Sequence, residues 1–229
     1  MAAVTGRSTP RPHLVLASAS PARLRVLREA GLDPEVVTSG VDEDGTDHLP
    51  TAEAVVVLAE RKARAIAERL AADDAGSAVD VTNPTPRTLV LGCDSMLDLD
   101  GEALGKPVDA DEVWRRWAQM RTATGVLHTG HCIIDLTNGE AVSESVATTV
   151  RFGDPTPDEL AAYLATGEPL AVAGAFTLDG YGAAFLDGID GDPGNVIGVS
   201  VPAVRQLLAA HGVAIADLWV PPRAPGAST

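Results

Sequence analysis

Five charged residues lie where the chain could bring opposite charges together: the cations Arg23, Lys62 and Lys106 and the carboxylates Glu43 and Asp94. Each falls at the end of a predicted element or on the inward face of a predicted helix. In α/β sheets, ligands collect at strand ends and at the helix N-termini that follow them. Cations there suit an anion such as a phosphate, and carboxylates suit a hard metal ion or a proton. Taken singly, Asp94 also fits a turn cap, Glu43 a solvated loop and Lys106 a surface turn.

Arg23 lies at a predicted junction between a strand and a helix. The apolar run 14–17 is typical of a buried strand, and a helical pattern follows from Ala22 to Ala30. Ser20 is a good N-cap, and Pro21 suits the first helical position. Such a junction points backbone N–H groups and the positive end of the helix dipole at one place, which suits an anion. An ordinary turn with a surface arginine is the simpler interpretation of this segment alone.

A second predicted helix, from about Ala52 to Ala71 with Thr51 as its cap, carries Lys62 on its inward face. At about 100° per residue, Lys62 shares one stripe with apolar residues, namely Val55, Leu58, Ala59 and Ile66. An inward lysine needs an anionic partner or has to extend its ammonium to the rim of the core. The pattern therefore favours a role for Lys62 in a site.

Asp94 follows a run, 88–92, that is typical of a buried strand. We expect this strand to end at Cys93-Asp94-Ser95, so that the carboxylate of Asp94 emerges at the edge of the core. The next run, 96–99, leads into Asp100-Gly101, a strong hairpin turn.

The other elements predict an α/β fold class with a mixed β-sheet flanked by helices, because strands and helices alternate in the first half and hairpins dominate the middle. We expect strands at 35–38, 127–136, 141–152 and 183–189, helices at 110–120, 156–167 and 201–211, and a surface insertion at 73–87. The helix at 110–120 is expected to bury Val113, Trp114 and Trp117.

The two cysteines and two neighbouring histidines add no predicted metal site. Cys93 and Cys132 are too few and too isolated for a disulfide framework or a zinc cluster, which fits a reducing cytoplasm. On a strand, His128 and His131 point to opposite faces and do not share one ion.

The composition is that of a globular, acidic chain. Its 229 residues suffice for one substantial domain or two lobes sharing a core. The formal net charge of −15 argues against non-specific binding to nucleic acid. We expect no membrane segment, because no apolar run reaches about 18 residues, and no signal peptide is visible. The expected domain is 13–220, between a flexible N-terminal extension at 1–12 and a flexible tail at 221–229.

Five short motifs follow one another at 16–23 (LASASPAR), 41–43 (VDE), 58–63 (LAERKA), 92–95 (GCDS) and 105–107 (GKP). In this order they resemble the Maf family of nucleoside triphosphate pyrophosphatases. The segments 148–152, 173–176 and 195–199 continue the resemblance, which covers about residues 13 to 211. No single motif is specific, but the ordered set is.

The resemblance implies hydrolysis of a nucleoside triphosphate between its α and β phosphates, giving the monophosphate and pyrophosphate with Mg²⁺ or Mn²⁺. It implies a twisted mixed sheet with two lobes around a central cleft, distantly similar to inosine triphosphatases, in a family whose members are often homodimers. By motif, Asp94 is the general base or a metal-bound carboxylate, and Glu43 helps to hold the metal. The triphosphate is expected to bind to Ser18, Ser20, Arg23, Lys62 and Lys106, with Lys62 also catalytic.

Four positions depart from the family pattern. Ala22 and Val172 stand where the family has an arginine and a lysine, Asp179 replaces a glutamine, and Ser95 replaces a threonine. Two cations are lost and a carboxylate is gained near the expected pocket. A carboxylate accepts hydrogen bonds from a base that donates them, so we predict that Asp179 takes part in substrate choice.

Two function classes remain open. The first is a house-cleaning or regulatory pyrophosphatase that acts on non-standard or pyrimidine nucleotides. The second is a nucleotide-binding regulator that inhibits septum formation in cell division, a role with which the family is also associated. A dinucleotide-dependent oxidoreductase is disfavoured, because no Gly-x-Gly-x-x-Gly follows the first strand.

Overall fold

The structure, a computed structural model, describes residues 10–74 and 86–220. The strands are β1 (His13–Leu16), β2 (Glu35–Val36), β3 (Thr88–Leu99), β4 (Glu102–Leu104), β5 (Thr124–Asp135), β6 (Ala141–Phe152) and β7 (Leu186–Asp190). The α-helices are α1 (Pro21–Glu29), α2 (Thr51–Asp74), α3 (Ala110–Met120), α4 (Pro157–Ala165), α5 (Pro193–Ile197) and α6 (Val201–Ala210). Short 3₁₀ turns lie at Glu168–Ala171, Ala173–Ala175, Tyr181–Phe185 and Ile215–Leu218.

The strands form one seven-stranded sheet in the order β2-β1-β3-β5-β6-β7, with β4 paired to β3 as well. Strand β1 runs parallel to β2 and β3, and the other pairs are antiparallel. The predicted mixed α/β sheet flanked by helices is therefore confirmed.

One edge of β3 changes its partner along the strand. Strand β1 pairs with it as far as Leu16 and Leu91, and β4 pairs with it only from Leu97 onwards. In the described part of the chain, no strand pairs with this edge from Gly92 to Met96. The sheet therefore has a gap in its edge, and Asp94 lies in the middle of that gap.

The prediction that this strand ends at Cys93 is wrong. Strand β3 continues through Asp94 as far as Leu99, because β5 pairs with its other edge from Leu89 to Asp98. That pairing satisfies the backbone on one side, so the strand persists beyond the end of β1.

Two hydrophobic cores lie one after the other on the same face of β3, because Leu91 and Leu97 belong to different cores and alternate residues share a face. The first core surrounds Leu16 and Leu208, and the second surrounds Trp117 and Phe152. The two cores meet at the gap, between Cys93 and Leu97, and the part of the chain around each core is called a lobe below. A third, smaller cluster, which includes Val90 and Ile66, lies between β3 and α2 on the opposite face.

Helix α2 lies unusually close to the sheet because two glycines face it. A Cβ atom at Gly92 would be 2.2 Å from the carbonyl oxygen of Ala59, and one at Gly130 would be 2.1 Å from that of Val55. Both neighbours are helix backbone, which cannot turn aside as a flexible side chain can. The two glycines therefore set the distance between α2 and the strands β3 and β5.

Replacing Gly92 or Gly130 by Ala should force α2 away from the sheet. We expect each substitution to lower the free energy of unfolding by about 3 kcal/mol, as overpacking against backbone does. Gly105→Ala is the matched control, because no heavy atom lies within 4 Å of a Cβ at that position, and it should change stability by less than about 0.5 kcal/mol. Urea unfolding of the three variants measures this, and equal stabilities would contradict the packing described.

The predicted starts of three helices are confirmed. The Ser20 and Ser200 side chains cap α1 and α6, and Thr156 forms a capping box at α4. Thr51, in contrast, is the first residue of α2, and its hydroxyl donates to Asp98 Oδ2 at 2.6 Å. Its assignment as the cap preceding the helix was therefore wrong.

Helix α3 buries a different set of residues from the predicted one. Val113 and Trp117 are buried, but Trp114 is 37% exposed, because it lies about 100° around the helix from Val113. Arg116 is buried instead, with its guanidinium bonded to Glu112 and to the Gly105 carbonyl.

Some boundaries of strands and helices differ from the predicted ones. Strand β2 is shorter than the predicted 35–38, and the strand predicted at 183–189 begins only at Leu186, after a 3₁₀ turn. Asp73 belongs to α2, and most of the predicted insertion, 75–85, lies outside the described residues, as do 1–9 and 221–229. Within 10–74 and 86–220, no helix has the length and hydrophobicity needed to cross a membrane.

Candidate active site

Lys62 joins two carboxylates at the gap in the sheet. Its Nζ lies 2.5 Å from Asp94 Oδ1 and 2.6 Å from Glu43 Oε1. Lys62 is 8% and Asp94 6% exposed, whereas the Glu43 side chain is 60% exposed. A buried ion pair is therefore extended to the surface by a third charge.

The backbone brings these charges together from three elements. Lys62 is on the buried stripe of α2, as predicted, next to Ala63, whose nitrogen would be 2.8 Å from a Cβ at Gly92. The close approach at Gly92 thus places Lys62 beside Asp94 of β3. Glu43 arrives on the loop before α2, where Arg61 donates to the Asp44 carbonyl at 2.8 Å.

Arg23 is fixed on the other side of β3. Its Nε donates to the Gly198 carbonyl at 2.8 Å, its Nη1 to Ser18 Oγ at 3.1 Å and its Nη2 to Ser95 Oγ at 3.0 Å. Ser20 caps the helix by accepting from the Arg23 backbone N–H. Because Asp94 and Ser95 are consecutive in a strand, their side chains leave on opposite faces. The Lys62 group and the Arg23 group therefore approach the gap from opposite faces of the sheet.

Several residues around Arg23 were not predicted from the sequence. Ser95 was noted only as a departure from the family pattern, and Thr129 and Asn195 carried no assigned role. Ser95 Oγ lies 2.9 Å from Thr129 Oγ1, which in turn donates to the Asn195 carbonyl at 2.9 Å. The one signal in the sequence was Ser95 itself, a polar residue at an inward position of β3 whose neighbours on the same face, Cys93 and Leu97, are apolar.

Burial is the main influence on the pKa of the Asp94 carboxyl group. Desolvation raises the pKa of its carboxyl group, and the positive charges of Lys62 and Arg23 oppose that rise. A carboxyl group with a raised pKa accepts a proton more readily near neutral pH than an exposed one does. The Asp94 carboxylate is thus more basic than an exposed carboxylate.

His131 is a buried neutral histidine beside Thr129. Its Nε2 accepts a hydrogen bond from the Ser200 backbone N–H at 2.8 Å. Desolvation, assisted by the charge of Arg23, lowers the pKa of His131 to about 4. His128 is only partly buried, on the other face of β5, so the expectation that these two side chains point to opposite faces is confirmed.

The lowered pKa of His131 predicts acid sensitivity. The unfolded chain binds a proton at this residue below about pH 6.5 and the native chain only near pH 4, so stability should fall by about 3 kcal/mol over this interval. His131→Gln removes this contribution and should flatten the dependence. Chemical unfolding of both proteins at pH 7, 5.5 and 4 measures the difference, and parallel curves would contradict a neutral buried His131.

The two carboxylates suit a magnesium-type ion. Asp94 Oδ1 and Glu43 Oε1 both contact Lys62 Nζ, so they are within two hydrogen-bond lengths of each other. No cluster of three or more His, Cys, Asp or Glu side chains suited to a metal lies within the described ranges. Mg²⁺ is commonly held by one or two carboxylates together with water and substrate phosphates. The donor set fits that mode of binding.

Lys106 and Asp179 lie apart from both groups in the hydrogen-bond network. Lys106 is exposed after β4, next to Gly105, whose carbonyl accepts from Arg116 at 2.5 Å and from the Gly174 N–H at 3.0 Å. Asp179 forms an ion pair with Arg25 of α1. Its role in substrate choice stays a prediction.

Comparison with known proteins identifies the family. The Maf-like protein family matches residues 13–211. A protein of Streptomyces avermitilis named nucleoside triphosphate pyrophosphatase is 55% identical over 212 residues, which cover 93% of this chain and 97% of that protein. A protein of the same name from Streptomyces coelicolor has the same identity and coverage. One from Salinispora tropica is 48% identical over 208 residues, covering 90% and 87%. The chain therefore belongs to the Maf family.

Proposed function

We propose that this protein hydrolyses a nucleoside triphosphate to the nucleoside monophosphate and pyrophosphate. The observation that carries the proposal is the contact of Lys62 Nζ with Asp94 and Glu43 at the gap in the sheet. This contact pairs Asp94, the proposed base, with the cation Lys62. Arg23 faces the same gap from the other side of the sheet. The names of the relatives, which are 48–55% identical over most of the chain, support the same reaction.

Asp94 is the general base in this proposal. Its Oδ1 is engaged by Lys62, so Oδ2 is the oxygen that takes a proton from the attacking water. Lys62 orients the carboxylate and neutralises charge next to it. Phosphoryl-transfer enzymes work mainly by positioning and by offsetting charge, which is what fixed cations provide.

The triphosphate lies, in this proposal, between the two groups of the site. Arg23 retains N–H groups beyond the three it uses for Ser18, Ser95 and the Gly198 carbonyl. Ser18 and Ser20 hold the turn that carries Arg23, and Lys106 adds a cation from the opposite lobe. These charges offset the negative charge that builds up on the leaving pyrophosphate.

Glu43 and Asp94 are the residues that would hold a divalent cation. When bound, Mg²⁺ or Mn²⁺ neutralises phosphate charge and acidifies the attacking water. The exposed position of Glu43 leaves space on its side of Lys62 for water and phosphate oxygens.

Substrate choice is assigned to the lobe that carries Asp179. The loop bearing Asp179 is fixed by Glu168, whose carboxylate accepts from the Tyr181 and Gly182 backbone N–H groups at 3.1 and 3.0 Å. Arg25 pairs with Asp179 from the same helix that has Ala22 where the family has an arginine. The departures at Ala22, Val172 and Asp179 distinguish this pocket from those of relatives that keep the cations.

A panel of nucleoside triphosphates tests the proposal. Pyrophosphate release is measured for standard purine and pyrimidine nucleotides and for base-modified ones, each with Mg²⁺, with Mn²⁺ and with a chelator. We expect turnover that needs the metal and prefers part of the panel. Nucleotide binding without turnover in every case would refute the pyrophosphatase and favour the alternative, a regulator of septum formation.

A cytoplasmic location and a homodimer are further proposals. Cys93 and Cys132 lie on adjacent strands, one residue out of register and on opposite faces of the sheet, and both are free. Burial raises the pKa of the Cys93 thiol to about 12 and that of Cys132 to about 11, so both thiols remain protonated. Free cysteines suit a reducing compartment. Sedimentation of the purified protein tests the homodimer.

A further inference from the structure

A layer of polar side chains separates the two hydrophobic cores beneath Arg23. Ser95 and Thr129 face each other across β3 and β5, and Thr148 lies on the next strand, β6. Asn195 of α5 contacts both threonines. Thr129 and Asn195 are 0% exposed, and Thr148 is 1% exposed.

The hydrogen bonds in this layer run in one direction. Thr129 Oγ1 donates its one hydrogen to the Asn195 carbonyl. In the 2.9 Å contact between Ser95 Oγ and Thr129 Oγ1, Ser95 is therefore the donor. With its hydrogen committed to Thr129, Ser95 can only accept from Arg23, whose Nη2 lies 3.0 Å away.

The far end of this chain of hydrogen bonds is anchored in the core. Asn195 Nδ2 donates to the Leu127 carbonyl at 3.1 Å and to Thr148 Oγ1 at 3.0 Å. These bonds fix Asn195 of α5, whose backbone carbonyl accepts from Thr129. The orientation of the Ser95 lone pairs is thus set by residues that do not touch Arg23.

Packing alone does not call for these hydroxyls. Along β3, the residues before and after Ser95 on the same face are Cys93 and Leu97, each in a hydrophobic core. An apolar side chain at 129 would join those cores, whereas buried hydroxyl groups contribute only when every one of them is paired. The Ser95 and Thr129 hydroxyls are both paired, in a chain that runs from the Asn195 backbone carbonyl to Arg23, and this points to a role at the site.

We propose that Thr129 is a positioning residue, which acts through Ser95 to hold the Arg23 guanidinium in the orientation that binds the phosphates. The inference rests on the proposed function. Without the Thr129 hydroxyl, the Ser95 hydrogen loses its acceptor and can turn towards Arg23, so that a donor replaces an acceptor beside a cation. Arg23 then loses one of the three contacts that fix it.

Thr129→Val tests the proposal, with Thr129→Ser as the conservative variant that restores the hydroxyl. Thr51→Val is the matched control, because it also removes a buried threonine hydroxyl with one hydrogen bond, to Asp98, away from Arg23. Kinetics on the preferred nucleotide are combined with calorimetric binding of inorganic pyrophosphate and with thermal unfolding. Should Thr129→Val not fold, Ser95→Ala removes the middle hydroxyl from a half-buried position and answers the same question.

We expect Thr129→Val to lower kcat/KM by roughly ten- to a hundredfold, mostly through KM, and to weaken pyrophosphate binding in parallel. Thr129→Ser should stay close to wild type, and Thr51→Val should lose stability without a change in KM. Equal KM effects in the two Val variants, or no rescue by Ser, would overturn the proposal. A wild type that binds pyrophosphate but hydrolyses no nucleotide would instead refute the proposed function, and the pyrophosphate affinities would still test Thr129.

Discussion

The Asp94→Asn protein should lose nucleotide turnover by about three orders of magnitude, within the range that removal of a general base costs, and should be no less stable than wild type. Asparagine keeps the shape of the side chain but cannot take a proton from water. The loss should appear in kcat, because Arg23 and the cations around it still bind the phosphates.

The prediction that Asp94→Asn is no less stable than wild type follows from the raised pKa of Asp94. A carboxyl group whose pKa is higher in the native state binds its proton more tightly there than in the unfolded chain. Its contribution is therefore present at low pH and is lost as the pH rises through the native pKa, so the ionised form weakens the fold. The neutral Asn avoids that penalty, and Lys62 is not left unpaired, because its Nζ keeps the contact with Glu43 Oε1 at 2.6 Å.

Urea unfolding between pH 5 and pH 8, in the presence of a chelator, measures the effect. The wild type should lose stability relative to Asp94→Asn as the pH rises. A variant that is less stable than wild type at pH 8 would show that the pair with Lys62 outweighs the burial of Asp94. Unchanged turnover would remove Asp94 from the role of base.

Lys62→Met should have the second-largest effect. This substitution should lower both the free energy of unfolding and the rate of nucleotide turnover. The substitution leaves the buried Asp94 carboxylate without its closest cation, and breaking a buried ion pair in this way costs about 3 kcal/mol or more. The loss should be larger at pH 8 than at pH 5, because Asp94 escapes part of it by binding a proton.

Arg64→Met is the matched control for Lys62→Met. Arg64 is two residues away on α2 but exposed, so the same change of charge there should alter the free energy of unfolding by less than about 0.5 kcal/mol. Denaturant titrations of both variants at the two pH values provide the comparison. If Lys62→Met lowered the free energy of unfolding equally at pH 5 and pH 8, the coupling of Lys62 to Asp94 would be contradicted.

The sequence predicted the parts of this site that follow from local pattern. The Ser20 cap and the strand before it place Arg23, and the apolar stripe of α2 places Lys62 inward, because helix caps and helical periodicity depend only on residues near in sequence. Two alternatives were predicted for an inward lysine, an anionic partner or extension of the ammonium to the rim of the core, and the contacts of Lys62 with Asp94 and Glu43 confirm the first.

The remainder depends on distant pairing. The persistence of β3 past Asp94 is decided by β5, which lies more than thirty residues later in the chain, and nothing around Asp94 itself indicates it. The same holds for the glycines: Gly92 and Gly130 give no local signal of a close approach, since the helix backbone that they face belongs to a different segment. Trp114 was misplaced because an aromatic residue beside Val113 resembles a core residue until the helix phase is counted.

The network under Arg23 was the least accessible to prediction. Ser95, Thr129 and Asn195 come from three segments, and each is an ordinary polar residue in its own surroundings. Only their hydrogen bonds to one another, in a layer between two apolar cores, connect them with the guanidinium.

The most direct test of whether the gap in the sheet is a pyrophosphatase site is phosphorus NMR of one reaction. It contains the preferred nucleoside triphosphate and Mg²⁺ or Mn²⁺. Wild type should give monophosphate and pyrophosphate in equal amounts. Asp94→Asn should bind the nucleotide with similar affinity and give neither product on the same time scale. Formation of diphosphate and inorganic phosphate, or of pyrophosphate by Asp94→Asn at the wild-type rate, would contradict the reaction or the assignment of its base.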